Sequence, residues 1–336
     1  MSLTATTSRT TSPRLKLSAG TIVEGEEERT DNTAALEYGI YRATKNRRLV
    51  DECVGILNRE GVAALVPTTA TETYLRKSQM WKYDGWESDF KLGIVTPHAD
   101  IGPEAEAQAM LAGTRSTIHG ARIDFSPMHP GGTIDEKIAH DPVLQFIAPE
   151  IINPTVESLS SSPLDAIGLA FTSSSFKIGA ERERELLTRL SEVSHGIRLT
   201  TTGTAASTAI RQLELEKVAI MAPSWFDEEL CAAGESYFRN QGLDIISATP
   251  SGPAGGPLTI SPSSTAAAVE KVVVDTGAEA VFVAGNGQRA IGAVDYLERQ
   301  LGITVLTANQ VLVWASLEGT DLRSKVEGYG RIFAHG

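Results

Sequence analysis

The sequence predicts an α/β protein of two similar lobes, each a parallel β-sheet covered by helices. The chain has 336 residues, enough for two lobes of roughly 100–130 residues and an extension. From Phe90 onward, short apolar runs alternate with amphipathic stretches, a rhythm typical of parallel sheets with helical crossovers. The strand-like runs divide near Thr202 into two sets of four. We therefore expect two Rossmann-like lobes related by a pseudo-twofold axis, preceded by an N-terminal extension.

Eight apolar runs predict the strands of the two sheets. Several are β-branched and unalternated, as strands buried on both faces are. The predicted strands are Lys91–Thr96, Ala121–Phe125, Asp165–Phe171, Ile197–Thr201, Lys217–Ala222, Asp244–Ala248, Ala280–Ala284 and Thr304–Thr307. Between them, Ile178–Ser194 carries its apolar residues at helical spacing. A glycine follows four of the helical stretches, where a left-handed cap is usual: Gly196, Gly242, Gly277 and Gly302.

Residues 1–89 are predicted to form the extension. Residues 1–30 are rich in Ser and Thr and are predicted to be flexible, whereas residues 46–66 have the pattern of a helix followed by a strand. Cys53 falls on the apolar face of that helix, which indicates a packed thiol rather than a nucleophile. The predicted lobes cover residues 90–202 with 310–336, and residues 203–309.

Composition excludes several classes of partner. The chain has 30 Lys and Arg against 42 Asp and Glu, a net charge of −12, which phosphate backbones and anionic lipid repel. No window approaches the ~20 apolar residues of a membrane helix, and a secretory apolar core is missing. We therefore expect a cytoplasmic protein that binds neither nucleic acid nor membrane. Its two cysteines, Cys53 and Cys231, lack metal-ligand spacing, so no structural zinc or disulfide framework is expected.

The sequence also lacks the phosphate-binding loops of common cofactors. No GxGxxG opens either lobe and no GxxxxGK[ST] is present, so no nicotinamide or nucleotide cofactor is expected. A GxSxG elbow is missing too, which argues against an α/β-hydrolase. The Gly-rich segment 252–257 is predicted to form a mobile loop over the site. These features predict a cofactor-free, metal-free site for a small-molecule substrate. We also expect the protein to form a homo-oligomer.

Polar residues cluster directly after the predicted strands, where the ligand crevice of a parallel sheet lies. Hydroxyls, exposed amides and helix N-termini at such positions form a site for an anion. Taken singly, hydroxyls such as Ser174 and Ser175 are equally well explained as helix caps, but their recurrence at four strand ends favours a site. The candidate catalytic residues are Asp100, His98 and Asn286. The candidate substrate-binding residues are Thr172, Ser173, Ser224, Gly285, Gly287, Gln288, Arg289, Asn309 and Thr202.

Several segments of the core carry a family resemblance. They are Tyr83–Trp86 leading into Leu92–Pro97, Ala170–Phe176, Ala222–Ser224, Ala284–Gly287, and Thr307–Gln310 with Trp314. These segments resemble the aspartate/glutamate racemase superfamily, in particular its maleate cis–trans isomerase and arylmalonate decarboxylase branch. The resemblance spans about residues 83–317 and implies a two-lobed fold with the active site between the lobes.

The resemblance also implies changed catalytic positions. Asp100 takes the position of an Asn that usually contacts substrate carboxylate, and Ser224 that of a Tyr. Phe171 and Gly285 stand where the family's two catalytic cysteines belong, whereas its Thr-Ser pair survives in this chain. Two-base racemisation needs a thiol on each face of the substrate carbon. A different substrate or a different reaction is therefore implied.

We thus expect an enzyme whose anion pocket persists while Asp100, assisted by His98, supplies an acid–base or water-activating function. The reaction would be C–N hydrolysis, isomerisation or decarboxylation of a small carbonyl or carboxylate compound, cyclic compounds included. One alternative is a catalytically silent relative that binds a small metabolite. Another is a maleate-type cis–trans isomerase that uses other acids.

Overall fold

The computed structural model describes residues 3–4, 16–17 and 83–334. The chain separates into two units, residues 1–82 and residues 83–336. In the first unit, β1 (Leu3–Thr4) pairs antiparallel with β2 (Lys16–Leu17). The predicted helix and strand over residues 46–66, with Cys53, lie outside the described residues, as does most of the predicted flexible tail.

The first lobe contains a four-stranded parallel sheet. The strands are β3 (Phe90–Pro97), β4 (Ser116–Ile123), β7 (Ala166–Leu169) and β8 (Arg198–Thr201). They are arranged in the order β4-β3-β7-β8. Helices α1 (Gly102–Met110), α2 (His140–Phe146), α3 (Pro149–Ser160) and α4 (Thr172–Val193) accompany it, and a small antiparallel hairpin joins β5 (Met128–His129) to β6 (Thr133–Ile134).

The second lobe repeats the same strand order. The strands are β9 (Val218–Met221), β10 (Ile245–Thr249), β11 (Ala280–Val283) and β12 (Thr304–Thr307). They are arranged in the order β10-β9-β11-β12 and are all parallel. In both sheets, the second strand along the chain lies at the edge, next to the first. The helices are α6 (Glu228–Arg239), α7 (Pro262–Thr276) and α8 (Ile291–Leu301). The predicted α/β fold with two parallel-sheet lobes is confirmed.

Two further helices pack on the first sheet. Helix α5 (Thr202–Gln212) contacts α4, and α9 (Ala308–Ser316) crosses β7, β8, α1 and α5. Gly168 in β7 permits this packing, because a Cβ there would lie 2.9 Å from the Leu312 side chain. The division of the chain into lobes at Thr202 stays a prediction. No helix of the described residues is long and apolar enough to cross a membrane.

Two predicted elements differ from the observed ones. The strand expected at Ala121–Phe125 is Ser116–Ile123. This edge strand pairs only with β3, and because four of its eight residues are polar and three are exposed, no apolar run marks it. Helix α4 begins at Thr172 rather than Ile178 and bends at Gly179, whose φ is 77°. By contrast, the four predicted capping glycines all have positive φ, between 68° and 81°.

Candidate functional site

A cavity lies between the lobes at the carboxyl ends of their strands. From the first lobe, Pro97 and Asp100 follow β3 and Thr172 and Ser173 follow β7. The second lobe contributes the Gly285–Gly287 segment after β11. Aromatic and aliphatic side chains form most of the remaining wall: Phe125, Met128, Ile134, Ile138, Ala170, Phe171, Trp225, Phe226 and Pro257. The water-accessible volume is about 30 Å³, against roughly 10–15 Å³ for one water, so the cavity is small.

Asp100 places a buried carboxyl in this cavity. Its side chain is 3% exposed, and Oδ1 accepts a 2.8 Å hydrogen bond from the backbone N–H of Gly102. On the other side it faces the second lobe, where a Cβ at Gly287 would lie 3.1 Å from Oδ2. Burial raises the pKa of Asp100 to about 6, despite the Gly102 hydrogen bond, which lowers it. The group can therefore exchange a proton near neutral pH.

Arg122, at the end of β4, fixes the loop that carries Asp100. Its Nη1 donates to the carbonyl of Asp100 at 2.8 Å and, at longer range, to those of His98 and Pro97. Its Nη2 donates to Glu104, whose carboxylate occupies the space that a Cβ at Gly120 would fill. None of these bonds reaches the Asp100 carboxylate. Arg122 therefore orients the loop, and its positive charge lowers the pKa of Asp100 without a direct ion pair to the carboxylate.

The amide of Asn286 organises the opposite wall. Its Oδ1 accepts from both the backbone N–H (2.9 Å) and the hydroxyl (2.7 Å) of Thr172, and its Nδ2 donates to Asn309 Oδ1 at 2.8 Å. Thr202 Oγ1 lies 3.1 Å from Nδ2. Because these bonds use its oxygen and both amide hydrogens, Asn286 holds the two lobes together and has no side-chain hydrogen left for a ligand.

The hydroxyl of Ser173, unlike that of Thr172, forms no hydrogen bond with Asn286. Ser173 is 3% exposed and lines the cavity, yet its hydroxyl forms no hydrogen bond with the described residues. Its Oγ is not among the fully buried polar atoms that lack a partner, so the hydroxyl is open to the cavity. Ser173 is therefore one side-chain donor that the cavity offers to a bound molecule.

Glu106, which the sequence did not single out, supports this wall from behind. Its Oε1 accepts hydrogen bonds from the N–H groups of Ala290 (2.8 Å) and Ile291 (3.2 Å), and its Oε2 accepts one from Asn309 at 2.8 Å. Burial raises the pKa of Glu106, and the Asn309 hydrogen bond opposes this. The sequence of α1 gave no signal, because a Glu in an amphipathic helix usually marks its solvated face.

Other predicted site residues lie outside the cavity wall. His98 Nδ1 accepts a 3.1 Å hydrogen bond from the N–H of Phe125, and no hydrogen bond joins it to Asp100. The Ser224 carbonyl accepts from Lys137, while the next two residues line the cavity instead. Arg289 is exposed. Gln288 is 2% exposed, and both atoms of its amide lack a partner among the described residues.

Gly285 lines the cavity for a reason of backbone geometry. Its φ is 86°, a region that favours glycine, and a Cβ there would lie 2.5 Å from Pro223. A cysteine therefore does not fit this position without movement. The nearby loop of residues 250–261 places Pro257 in the cavity wall, and a Cβ at Gly256 would approach the Ile134 side chain at 3.2 Å. This loop of the second lobe thus lies against the hairpin of the first.

The one cysteine of the described residues lies away from the cavity. Cys231 lies in α6, is 2% exposed, and is not part of the cavity wall. Burial raises its pKa to about 12, so the reactive thiolate is scarce. No group of three or more His, Cys, Asp or Glu side chains among these residues could hold a metal ion.

The fold and this cavity define a two-lobed α/β protein with an interlobe carboxyl site. A comparison with protein families matches the arylmalonate decarboxylase family over residues 145–333, more than half of the chain. The chain therefore belongs to the arylmalonate decarboxylase family. No curated protein sequence matches it.

Solved structures share the fold. The maleate isomerase of Pseudomonas putida S16 has 19% identity and a TM-score of 0.62, over 73% of this chain and 98% of that one. Maleate cis–trans isomerase of Nocardia farcinica has 18% identity and a TM-score of 0.63, over 73% and 97%. An arylmalonate decarboxylase has 16% identity and a TM-score of 0.57, over 73% and 100%. One structure of the Nocardia isomerase carries a covalently bound succinylcysteine intermediate.

Proposed function

We propose that this chain is a cofactor-independent enzyme that moves a proton at a carbon next to a carboxylate or carbonyl group. Asp100 is its acid–base residue. The observation that carries the proposal is the buried Asp100 carboxyl in the interlobe cavity, with a pKa of about 6 and no direct ion pair to a cation among the described residues. Such a group is half ionised near the pH at which general acids and bases are most effective.

The family supports carbon-acid chemistry, and the chain's own residues support a carboxyl in place of a thiol. Similar structures are an isomerase and a decarboxylase, and one isomerase structure holds a cysteine adduct. Here Phe171 lines the cavity, and Gly285 leaves no room for a side chain. Asp100 is the one titratable group among the described residues of the cavity wall, which makes it the candidate for the proton transfer.

In the proposed step, ionised Asp100 takes the proton from the substrate carbon, and the electron pair of that C–H bond moves onto the adjacent carbonyl oxygen. The Ser173 hydroxyl donates to the developing oxyanion. Protonated Asp100 then returns the proton to carbon. In a substrate with a β,γ double bond, the electron pair extends over that bond, and isomerisation follows when the proton returns to the γ carbon. In decarboxylation, loss of CO₂ generates the carbanion, and Asp100 supplies the proton.

Hydrolysis of a C–N bond is the alternative reaction, in which Asp100 would activate a water. The buried Asp100 carboxyl, whose pKa is raised to about 6, is the group that would accept the proton of that water. A homo-oligomeric state and a cytoplasmic location also remain proposals.

Hydrogen–deuterium exchange tests the proposal whatever product the reaction forms. The purified protein is incubated in D₂O with a panel of small carboxylates, ketones, amides and imides, and loss of α-proton signals is followed by ¹H NMR. We expect exchange with at least one carbon acid, unchanged by EDTA and absent in Asp100→Asn. Asp124→Asn is the matched control, because the Asp124 side chain is 91% exposed. Ligand binding without any turnover would instead identify a catalytically silent relative.

A further inference from the structure

The hydrogen bonds of the Glu106 carboxyl all come from donors. The N–H groups of Ala290 and Ile291 donate to Oε1, and the side-chain nitrogen of Asn309 donates to Oε2. Burial raises the pKa of Glu106, and these bonds and the charge of Arg289 oppose that effect. Because an ionised carboxylate can only accept hydrogen bonds, three donors favour the ionised form. Glu106 therefore fixes which end of the Asn309 amide faces it.

This fixed direction continues through two amides to the cavity wall. The Asn309 nitrogen also donates to the backbone carbonyl of Asn286 at 2.9 Å, and the Asn309 oxygen accepts from Asn286 Nδ2 at 2.8 Å. The side-chain oxygen of Asn286 then accepts from the N–H and the hydroxyl of Thr172. Either amide turned end for end would place a donor against a donor. The Glu106 carboxylate and the Thr172 N–H thus determine the orientation of both amides.

The network of Glu106, Asn309, Asn286 and Thr172 reaches both sides of the cavity. Thr172 begins α4 and precedes Ser173, and both line the cavity.

On the other side, the Asn286 carbonyl lies against the loop of Asp100. A Cβ at Gly102 would be 3.2 Å from that carbonyl oxygen and 3.1 Å from Asp100 Oδ1. Gly102 is also the residue whose N–H binds the Asp100 carboxyl. The orientation of Asn286 therefore bears on both the proposed base and the hydroxyls opposite it.

The charge of Glu106 also acts on Asp100. Burial has the largest effect on the pKa of Asp100, and the negative charges of Glu106 and Glu104 raise it further, whereas Arg122 lowers it. Glu104 and Arg122 form an ion pair with each other. Glu106 forms no ion pair among the described residues and is held by N–H groups instead. Loss of its charge should therefore lower the pKa of Asp100.

We propose that Glu106 is a positioning residue of the proposed reaction, which acts on the cavity through Asn309 and Asn286 and not by contact with the substrate. Glu106 and Asn309 are not part of the cavity wall, so a bound ligand meets their effect through Asn286 and Thr172. The inference rests on the proposed function for the rate that Glu106 affects. The orientation of the wall, in contrast, can be measured without turnover.

Two variants separate the orientation of the amides from the charge. Glu106→Gln removes the charge and places an amide nitrogen against donors. We expect kcat for α-proton exchange to fall by about 10-fold or more and the midpoint of its pH profile to move to lower pH. Asn309→Ala breaks the network but keeps the carboxylate, so kcat should fall by a similar factor without that downward shift. Asn309→Ala also keeps the bonds of Glu106 to the second lobe, so it tests the orientation even where Glu106→Gln fails to fold.

Glu298→Gln is the matched control. Glu298 is also a buried carboxyl, 5% exposed, and it accepts hydrogen bonds from the N–H groups of Val305 (3.1 Å) and Arg331 (2.7 Å). It belongs neither to the cavity wall nor to the network. Glu298→Gln should lower the stability to urea, as Glu106→Gln should, and leave kcat and the midpoint unchanged.

Hydrogen exchange of the Thr172 amide measures the orientation of Asn286 without any substrate. In ¹⁵N-labelled protein, the protection of this N–H should fall by about 10-fold or more in Glu106→Gln and Asn309→Ala, because it loses its acceptor when Asn286 turns. It should persist in Glu298→Gln. Unchanged Thr172 protection and kcat in both network variants, or equal losses in Glu298→Gln, would overturn the inference. If the unmodified protein catalyses no exchange, the proposed function fails, and the Thr172 amide still decides whether Glu106 orients the wall.

Discussion

The carboxylate of Glu106 in the first lobe accepts a 2.8 Å hydrogen bond from the backbone N–H of Ala290 in the second. Ala290 precedes helix α8, so the negative charge also lies at the positive end of that helix. The other carboxylate oxygen binds Asn309, which in turn binds Asn286 in the cavity wall. A single buried carboxylate thus ties the position of the second lobe to the first, directly behind the proposed site.

Glu106→Ala should therefore destabilise the protein by about 3–5 kcal/mol, because it leaves buried N–H donors without an acceptor. The free energy of unfolding is measured by urea denaturation. Glu192→Ala on the exposed face of α4 is the matched control, with an expected change within about 0.5 kcal/mol. A loss below about 1 kcal/mol for Glu106→Ala would show that the interlobe contact is not formed in solution.

The raised pKa of Asp100 predicts that function and stability oppose each other at this position. The folded protein holds the proton more tightly than the unfolded chain, with a pKa of about 6 against 3.8. The contribution of Asp100 to the stability of the folded protein is therefore favourable below about pH 4, and it is lost as the pH rises through about 6. At about pH 8, the free energy of unfolding of Asp100→Asn should be about 2–3 kcal/mol higher than that of the unmodified protein, so the variant should unfold at a higher denaturant concentration. A less stable Asp100→Asn variant at that pH would contradict the raised pKa.

Arg122 should lower the pKa of Asp100 without contacting its carboxylate. Arg122→Gln removes a positive charge that lowers the pKa of Asp100 and releases three loop carbonyls. We expect the exchange rate to fall by about 10-fold or more and the midpoint of its pH profile to rise. Arg115→Gln, at the opposite end of β4 and paired with Glu87 near the surface, should change neither quantity. An unshifted midpoint in Arg122→Gln would reduce Arg122 to a purely structural residue.

Much of the fold could be predicted because local sequence patterns determine it. The apolar runs of the buried strands and the glycines after the helices need no long-range information. The edge strand β4 was misplaced because its exposed side chains interrupt the apolar run. The start of α4 was missed because its first turn is a row of hydroxyl residues, which local propensity assigns to a loop or a cap.

The position of the interlobe cavity could be predicted from the sequence, whereas most contacts between its side chains could not. The strand ends locate Asp100 and Ser173, since parallel strands place their carboxyl ends together. Whether a hydroxyl is free or engaged depends on partners far away in sequence. Thr172 donates to Asn286, 114 positions later, and Glu106 is bound by Ala290, 184 positions later. No local pattern carries such pairings, which is why the sequence does not reveal the roles of Glu106 and Arg122.

Cys231 should be unreactive in the folded protein, because it is buried and its pKa is raised to about 12. Cys231→Ser should leave the exchange rate nearly unchanged. Iodoacetamide should leave this thiol unmodified in the native protein and alkylate it in urea, as followed by mass spectrometry of its tryptic peptide. Loss of turnover in Cys231→Ser would reinstate a thiol mechanism.

The pH dependence of kcat/KM for α-proton exchange tests the central claim most directly, in the unmodified protein and in Asp100→Asn. If ionised Asp100 is the base, the rate should rise with pH through a midpoint of about 6 and then level off. Asp100→Asn should lower the plateau by about 10²–10⁴-fold and remove this limb. A near-unchanged plateau in Asp100→Asn, with the limb still present, would contradict the assignment of Asp100 as the acid–base residue.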